Sequence, residues 1–293
     1  MKRPMLRVGV LLVLLALAAC SPRHLILQQA ASALATQGST PEDDLVLARE
    51  GAAFYLKLSE SVLRETPDNL PLAAAVAAGF AQYAYAFVQF EAERTESTDA
   101  HAALRLRERA ARLYRRAQRH AMMALEQHTP GFSKALASRT PADWPAIGAA
   151  QVELAYWAAA SWGGFIALSK DQPQVLADLP QAIRLAQLAY AAAPEHGQGA
   201  LASLMGSFEA ARPGGSRQQA ARYFDQAIAL GAGHSAAAFV TKAEAIALPA
   251  GDRPGFDALL RQALAIAESA GGLQNNVMRE RALWLLASAD DLF

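Results

Sequence analysis

The sequence predicts an all-α protein built from stacked antiparallel helical hairpins, and three observations carry that prediction. Alanine, the strongest helix former, supplies roughly a quarter of the 293 residues. Valine, isoleucine and threonine are sparse, and no stretch alternates apolar and polar residues long enough to place a strand. Prolines and glycines cut the chain into segments of similar, helix-sized length.

Taken in order, the chain opens with Lys2, Arg3 and Arg7, then an apolar run from Val8 to Ala16, then Leu17-Ala18-Ala19-Cys20. That is the layout of a secretory signal peptide over residues 1–19. The run is roughly half the ~20 residues that a bilayer-spanning helix needs. Leu-Ala-Ala-Cys resembles a bacterial lipobox, which predicts cleavage before Cys20, the sole cysteine, and lipidation of its thiol. Two acyl chains, at ~0.8 kcal/mol per buried methylene, hold a protein stably on a membrane. Ser21 follows the cysteine where an aspartate would favour inner-membrane retention, so the outer membrane is the expected site. Residues 20–40 show no clear pattern and read as a lipid-anchored tether to one helical domain over 41–293.

Within that domain the breaks fall at Asn69-Leu70-Pro71, Thr129-Pro130-Gly131, Thr140-Pro141, Pro194, Pro213-Gly214-Gly215, Gly231 to Gly233, Pro249 to Gly251 and Gly271-Gly272. They bound predicted helices over 42–65, 71–92, 99–128, 144–169, 179–192, 199–211, 216–230, 235–247, 254–268 and 274–288. Thr40 before Pro41, and Ser216 with Gln219, read as helix N-terminal caps.

Short helices joined by short turns imply a repeat. The spacing A-x3-F-x2-A, with small and bulky residues on one helix face, recurs as Ala182-Ala186-Ala189 ahead of Pro194, as Ala220-Phe224-Ala227 and as Phe256-Leu260-Ala263. Ala110-Tyr114-Ala117 repeats it in the N-terminal half. Starts at 182, 220 and 256 lie 38 and 36 residues apart, against ~34 in an ideal tetratricopeptide repeat. The start at 110 lies two such periods earlier. Small residues let helices approach closely, and the bulky one fills the gap between hairpins. The spacing predicts a degenerate tetratricopeptide-like array; an alanine-rich bundle is the alternative.

Chemistry is sparse. Loss of residues 1–19 would leave 24 basic against 27 acidic residues, a balance that points away from nucleic acid. No phosphate-binding Gly-rich loop, serine-hydrolase elbow or His-Glu-x-x-His is present, so no enzyme, cofactor or metal is expected. His120 and His128 lie eight apart, two helical turns, too far to chelate one ion. Arg105 to Arg119 with Glu108, and Glu91, Glu93 and Glu96 beside Arg94, read as solvated helix faces.

One segment concentrates aromatics: Tyr156-Trp157-Ala-Ala-Ala-Ser-Trp162-Gly-Gly-Phe165. It reads either as core, with Gly163 and Gly164 allowing close helix contact, or as an aromatic wall lining a cleft for an apolar ligand or partner. The longer segment Ala155 to Lys170 resembles the T component of tripartite ATP-independent periplasmic (TRAP) transporters, the TatT family. So do Pro213-Gly-Gly-Ser-Arg-Gln-Gln-Ala-Ala-Arg-Tyr-Phe-Asp-Gln-Ala-Ile228, the run Asn275-Asn276 to Leu286, and the ending Asp290-Asp291-Leu292-Phe293. The likeness runs from about Asp44 to Phe293.

The resemblance implies a lipid-anchored, periplasm-facing, all-helical protein with hidden tetratricopeptide-like repeats. It implies a homotrimer with a pore or cleft in each subunit, a complex with the transporter's extracytoplasmic solute-binding protein (the P component), and an apolar small ligand. The expected function is therefore non-enzymatic docking of that solute-binding protein. An envelope scaffold of the same architecture, serving outer-membrane assembly or cell-wall enzymes, is the alternative. An envelope hydrolase on a helical scaffold is the third.

Overall fold

The computed structural model describes residues 21–36 and 42–293; the expected signal peptide and the expected lipidation site Cys20 lie outside them. Among these residues every regular element is helical. Helix α1 (Ser21–Thr36) is followed by α2 (Leu45–Glu65), α3 (Leu70–Tyr83) and α4 (Phe90–Thr95), with a π turn over Ala84–Gln89 joining the last two into one rod. Next come the long α5 (Ala100–His128), the short α6 (Phe132–Ala137), then α7 (Val152–Ala167) and α8 (Pro173–Leu176). The second half comprises α9 (Leu179–Ala192), α10 (Ala200–Ala211), α11 (Arg217–Gly231), α12 (Ala237–Lys242), α13 (Arg253–Ala270), α14 (Leu273–Ala287) and α15 (Ala289–Leu292). A second π turn, Ala243–Ala247, extends α12.

Caps fix many of the boundaries. The Asp44 carboxylate accepts from the Val46 and Leu47 amides at 2.8 and 3.1 Å, so Asp44 caps α2; the cap expected at Thr40 lies outside the described residues. Asn69, Asp99, Ser216 and Asp252 do the same for α3, α5, α11 and α13. Each such cap is worth about 1 kcal/mol against alanine.

Two expectations are corrected. The stretch 20–40, read as a patternless tether, is helical over Ser21–Thr36. Helix α1 packs on α2 and α3, Ala31 is fully buried, and Asn69 donates to Gln28 at 3.2 Å. Leu27, Ala30, Ala31 and Leu34 recur at helical spacing, a signal too short to stand out beside an expected anchor. The helix expected from 144 starts instead at Val152. Trp144 precedes Pro145, whose ring disfavours helical geometry in the residue before it, and Trp144 is extended at ψ 144°. Arg184 pins this loop, donating to the Ser138 carbonyl at 2.8 Å and lying 4.3 Å over the Trp144 ring.

The rod α3–α4 is the spine. Leu72, Ala73, Val76 and Ala77 are fully buried, against α1, α2, α5 and α7. Among the described residues, 70–95 is the one helix long and apolar enough to cross a bilayer, and more than half of its apolar window is buried within the protein. Its apolarity serves packing.

The spaced residues Ala110, Tyr114, Ala117, Ala182, Ala186, Ala189, Ala220, Phe224, Ala227, Phe256, Leu260 and Ala263 are all buried. Phe224 on α11 lies against Gly206 on α10, where an added Cβ would come within 3.0 Å of the ring. Full burial of Phe224 and Phe256 contributes about 1.5–3 kcal/mol each.

The array then turns back on itself. Helix α14 contacts α2, and Asn276 donates to Asp43 at 3.2 Å across 233 residues.

Candidate functional site

Helix α7 carries the aromatic segment, and its two glycines explain how it is placed. A Cβ at Gly164 would sit 2.9 Å from the Tyr114 ring of α5, and one at Gly163 would sit 3.0 Å from Phe208 of α10. Each glycine therefore receives an aromatic ring from a different neighbouring helix. The four aromatics that sequence reading grouped are divided between two sides of α7.

Trp162 is 7% exposed. With the half-buried Phe165 it lines a cleft of about 300 Å³ shared with Arg115, Gln118 and Arg119 of α5 and with Gln174, Val175 and Asp178 around α8. Arg115 lies 5.5 Å over the Phe165 ring, a cation–π contact worth ~0.5–1 kcal/mol at an exposed site. A second cleft of about 410 Å³ continues from Gln118 and Arg119 past Met122, Met123 and Glu126 to Ser133. The two form one groove along α5. Glu126 adds a negative charge at that end: its carboxylate accepts the Ser133 and Gly131 amides at 2.7 Å each, and those bonds hold its pKa below the usual range and keep it ionised. The groove is thus apolar at Trp162, Phe165 and the methionines, with Arg115 and Arg119 on its α5 edge and the carboxylates Glu126 and Asp178 at its two ends.

Tyr156 and Trp157 face elsewhere. Their rings meet edge to face at 4.8 Å, and Tyr156 lies 5.7 Å from the His196 ring. Trp157 donates to Glu153 at 2.7 Å, and His196 pairs with the same carboxylate at 3.2 Å. Burial pushes the Tyr156 hydroxyl up to about 12, with Glu153 adding in the same direction. Beside them Gly197, Gln198 and Gly199 all adopt positive φ. A Cβ at Gly199 would come within 2.5 Å of the Ala227 carbonyl, so this turn brings α10 close to α11.

Two buried ionic centres escaped sequence reading because their members are far apart in the chain. Glu60 of α2 is 7% exposed. It accepts from Arg116 (Nε, 2.7 Å), Lys57 (2.8 Å) and His120 (2.8 Å). Burial alone would raise its pKa, but the bonds from Arg116, Lys57 and His120 outweigh it and hold Glu60 at about 2. Arg281 of α14 lies between the two π turns. Its Nη1 reaches Glu93 at 2.7 Å, its Nε reaches Glu244 at 3.0 Å, and Tyr85, Phe90 and Trp284 surround it at 5.4, 5.3 and 5.9 Å. Burial would lower the guanidinium pKa, but Tyr85, Glu244 and Glu93 more than reverse that. Tyr85 packs against both the main and the C-terminal cores, so this node fastens one to the other.

Among the described residues no group of three His, Cys, Asp or Glu is placed to hold a metal, and no buried side-chain polar atom lacks a partner. The polar side chains of both ionic centres are paired with one another and tie neighbouring helices together.

The TRAP transporter T-component family matches residues 41–293 of the chain. An uncharacterized protein of Treponema pallidum (strain Nichols) is 28% identical over 268 residues, 88% of this chain and 83% of that protein. In fold the chain is similar to a thermophilic TPR protein of Thermus thermophilus. That likeness has a TM-score of 0.50 at 18% identity and covers 88% of this chain and 99% of that one; it shows a tetratricopeptide-like helical architecture.

Proposed function

Because this chain belongs to the TRAP transporter T-component family, we propose that it is the periplasm-facing accessory lipoprotein of such a transport system, where it docks the solute-binding protein. The observation that carries the reading is the family match over 41–293. The fold agrees with it, since stacked hairpins expose extended surfaces suited to binding other proteins. The groove along α5, which combines Trp162, Phe165 and methionines with charged side chains and is shallow, suits a macromolecular partner better than a small apolar ligand. The reading includes acylation of Cys20, attachment to the outer membrane and assembly as a homotrimer.

Helix α1 refines that picture. It begins at Ser21 and packs on the body, so an acyl chain on Cys20 would hold the domain close to the membrane rather than on a long leash. The test is fractionation of cells expressing the tagged chain. Wild-type protein is expected in the membrane fraction, with the solute-binding protein co-purifying after detergent extraction. Cys20→Ala is expected in the soluble fraction with its fold intact. Recovery of outer-membrane assembly factors in place of the solute-binding protein would favour the scaffold reading.

A further inference from the structure

The exposed face of α5 carries a row of arginines whose ties to the rest of the fold are few. Arg105, Arg112 and Arg119 are exposed and recur every seven residues, with Arg115 between the last two. At 1.5 Å per residue the row spans about 21 Å. Several arginines elsewhere meet carboxylates, among them Arg107 with Glu96, Arg116 with Glu60, Arg212 with Glu209, and Arg281 with Glu93 and Glu244. On the row itself only Arg112 is paired, at 3.8 Å to the equally exposed Glu108. Among the described residues no carboxylate lies within ion-pair distance of Arg105, Arg115 or Arg119. Four arginines along this length, set against Glu108 and Glu126, leave a net positive potential on one side of an otherwise near-neutral molecule. The row runs directly into the groove lined by Met122, Trp162 and Phe165.

We propose that this face docks an acidic amphipathic helix of a partner protein, with carboxylates set against Arg105, Arg112 and Arg119 and apolar side chains in the groove. Three observations specify the occupant. Arg105, Arg115 and Arg119 have no carboxylate within ion-pair distance among the described residues, so a partner that supplies carboxylates meets unpaired guanidinium groups. A seven-residue repeat on one helix is matched by side chains repeating at the same interval on a second helix laid alongside it. Trp162 and Phe165 line a partly enclosed cleft, joined through Gln118 and Arg119 to an open depression at Met122, and an inserted apolar side chain fills such a cleft where a flat bilayer surface does not. The inference rests on the docking reading above, and takes the solute-binding protein as the source of the helix.

The experiment measures binding of the purified solute-binding protein to the full mature chain and to a triple variant, Arg105→Glu with Arg112→Glu and Arg119→Glu. Circular dichroism and thermal melting check its fold. A triple Arg→Gln variant serves if the charge reversal does not fold. The charge reversal is expected to weaken binding at least ~30-fold and the Gln variant ~10-fold. Wild-type affinity should fall between low and ~0.3 M salt, and the variants' much less. Binding at wild-type affinity by the folded variants overturns the inference and leaves docking elsewhere on the molecule intact. Absence of binding by the wild-type chain removes the docking reading as well. Two further results would also overturn it. In one, wild-type chain binds phosphatidylglycerol vesicles, the variants do not, and protein binding is unchanged. In the other, wild-type chain self-associates in sedimentation while the variants do not.

Discussion

Replacing Arg281 with methionine should loosen the C-terminal helices from the spine. The guanidinium is 7% exposed, and its two carboxylate partners are only about a quarter exposed, at 24% for Glu93 and 26% for Glu244. Methionine keeps much of the contact with Tyr85, Phe90 and Trp284 but leaves two carboxylates facing each other without a cation. Breaking a buried ion pair from one side costs about 3–5 kcal/mol. At roughly 2–4 °C per kcal/mol for a domain of this size, melting should fall by roughly 10 °C. Because Glu93 belongs to α4 while Glu244 and Arg281 belong to the C-terminal helices, the loss should show first as faster amide exchange in α12 to α14. A triple variant, Arg281→Met with Glu93→Gln and Glu244→Gln, removes the stranded charges and should recover a large part of the loss. If Arg281→Met lies within about 1 kcal/mol of wild type, or if the triple variant is no more stable than the single one, the electrostatic account of this node is wrong.

The remaining predictions concern α2, α5 and α7. Glu60 titrates near 2 in the fold against an ordinary 4.5. Its contribution is therefore present above about pH 4.5 and is lost as pH falls toward 2, on the order of 2–3 kcal/mol; denaturant titrations of Glu60→Gln should show a flatter acid limb than wild type. His120, whose pKa is lowered chiefly by burial, acts in the same direction below neutrality, since the unfolded chain takes up its proton first. Trp162→Ala should cost about 3–5 kcal/mol as a buried aromatic truncation, whereas the half-buried Trp157→Ala should cost far less, as read from urea midpoints. Gly164→Ala should destabilise by about 1–2 kcal/mol despite alanine's better helix propensity, because its Cβ meets the buried Tyr114 ring at 2.9 Å; a more stable variant would contradict that packing.

Most helix positions were legible because breakers and periodicity are local signals. Asn69, Asp99, Ser216 and Asp252 cap where turns were expected. The alanine and aromatic spacing around Phe224 and Phe256 identified residues that are buried. Departures came where local pattern and tertiary context part. Helix α1 holds a single apolar stripe too short to register, and its helix is supported by contacts with α2 and α3. Pro145 delays α7 through a steric effect on Trp144. The aromatic segment was found as a cluster, but which ring faces which side depends on Tyr114 and Phe208 from other helices. The Arg281 node joins residues 188 positions apart, and no spacing rule reaches that far. The arginines of α5 were visible as a solvated face; what sequence could not show is that they border the Trp162 and Phe165 cleft.

The central claim is that this chain acts by binding a transport partner. It is tested most directly by titrating the purified mature protein with the solute-binding protein of the same transport system, followed by calorimetry. The account predicts a saturable complex with a Kd in the ~1–10 μM range or tighter, weakened by salt. No binding at several tens of micromolar under low salt would contradict it.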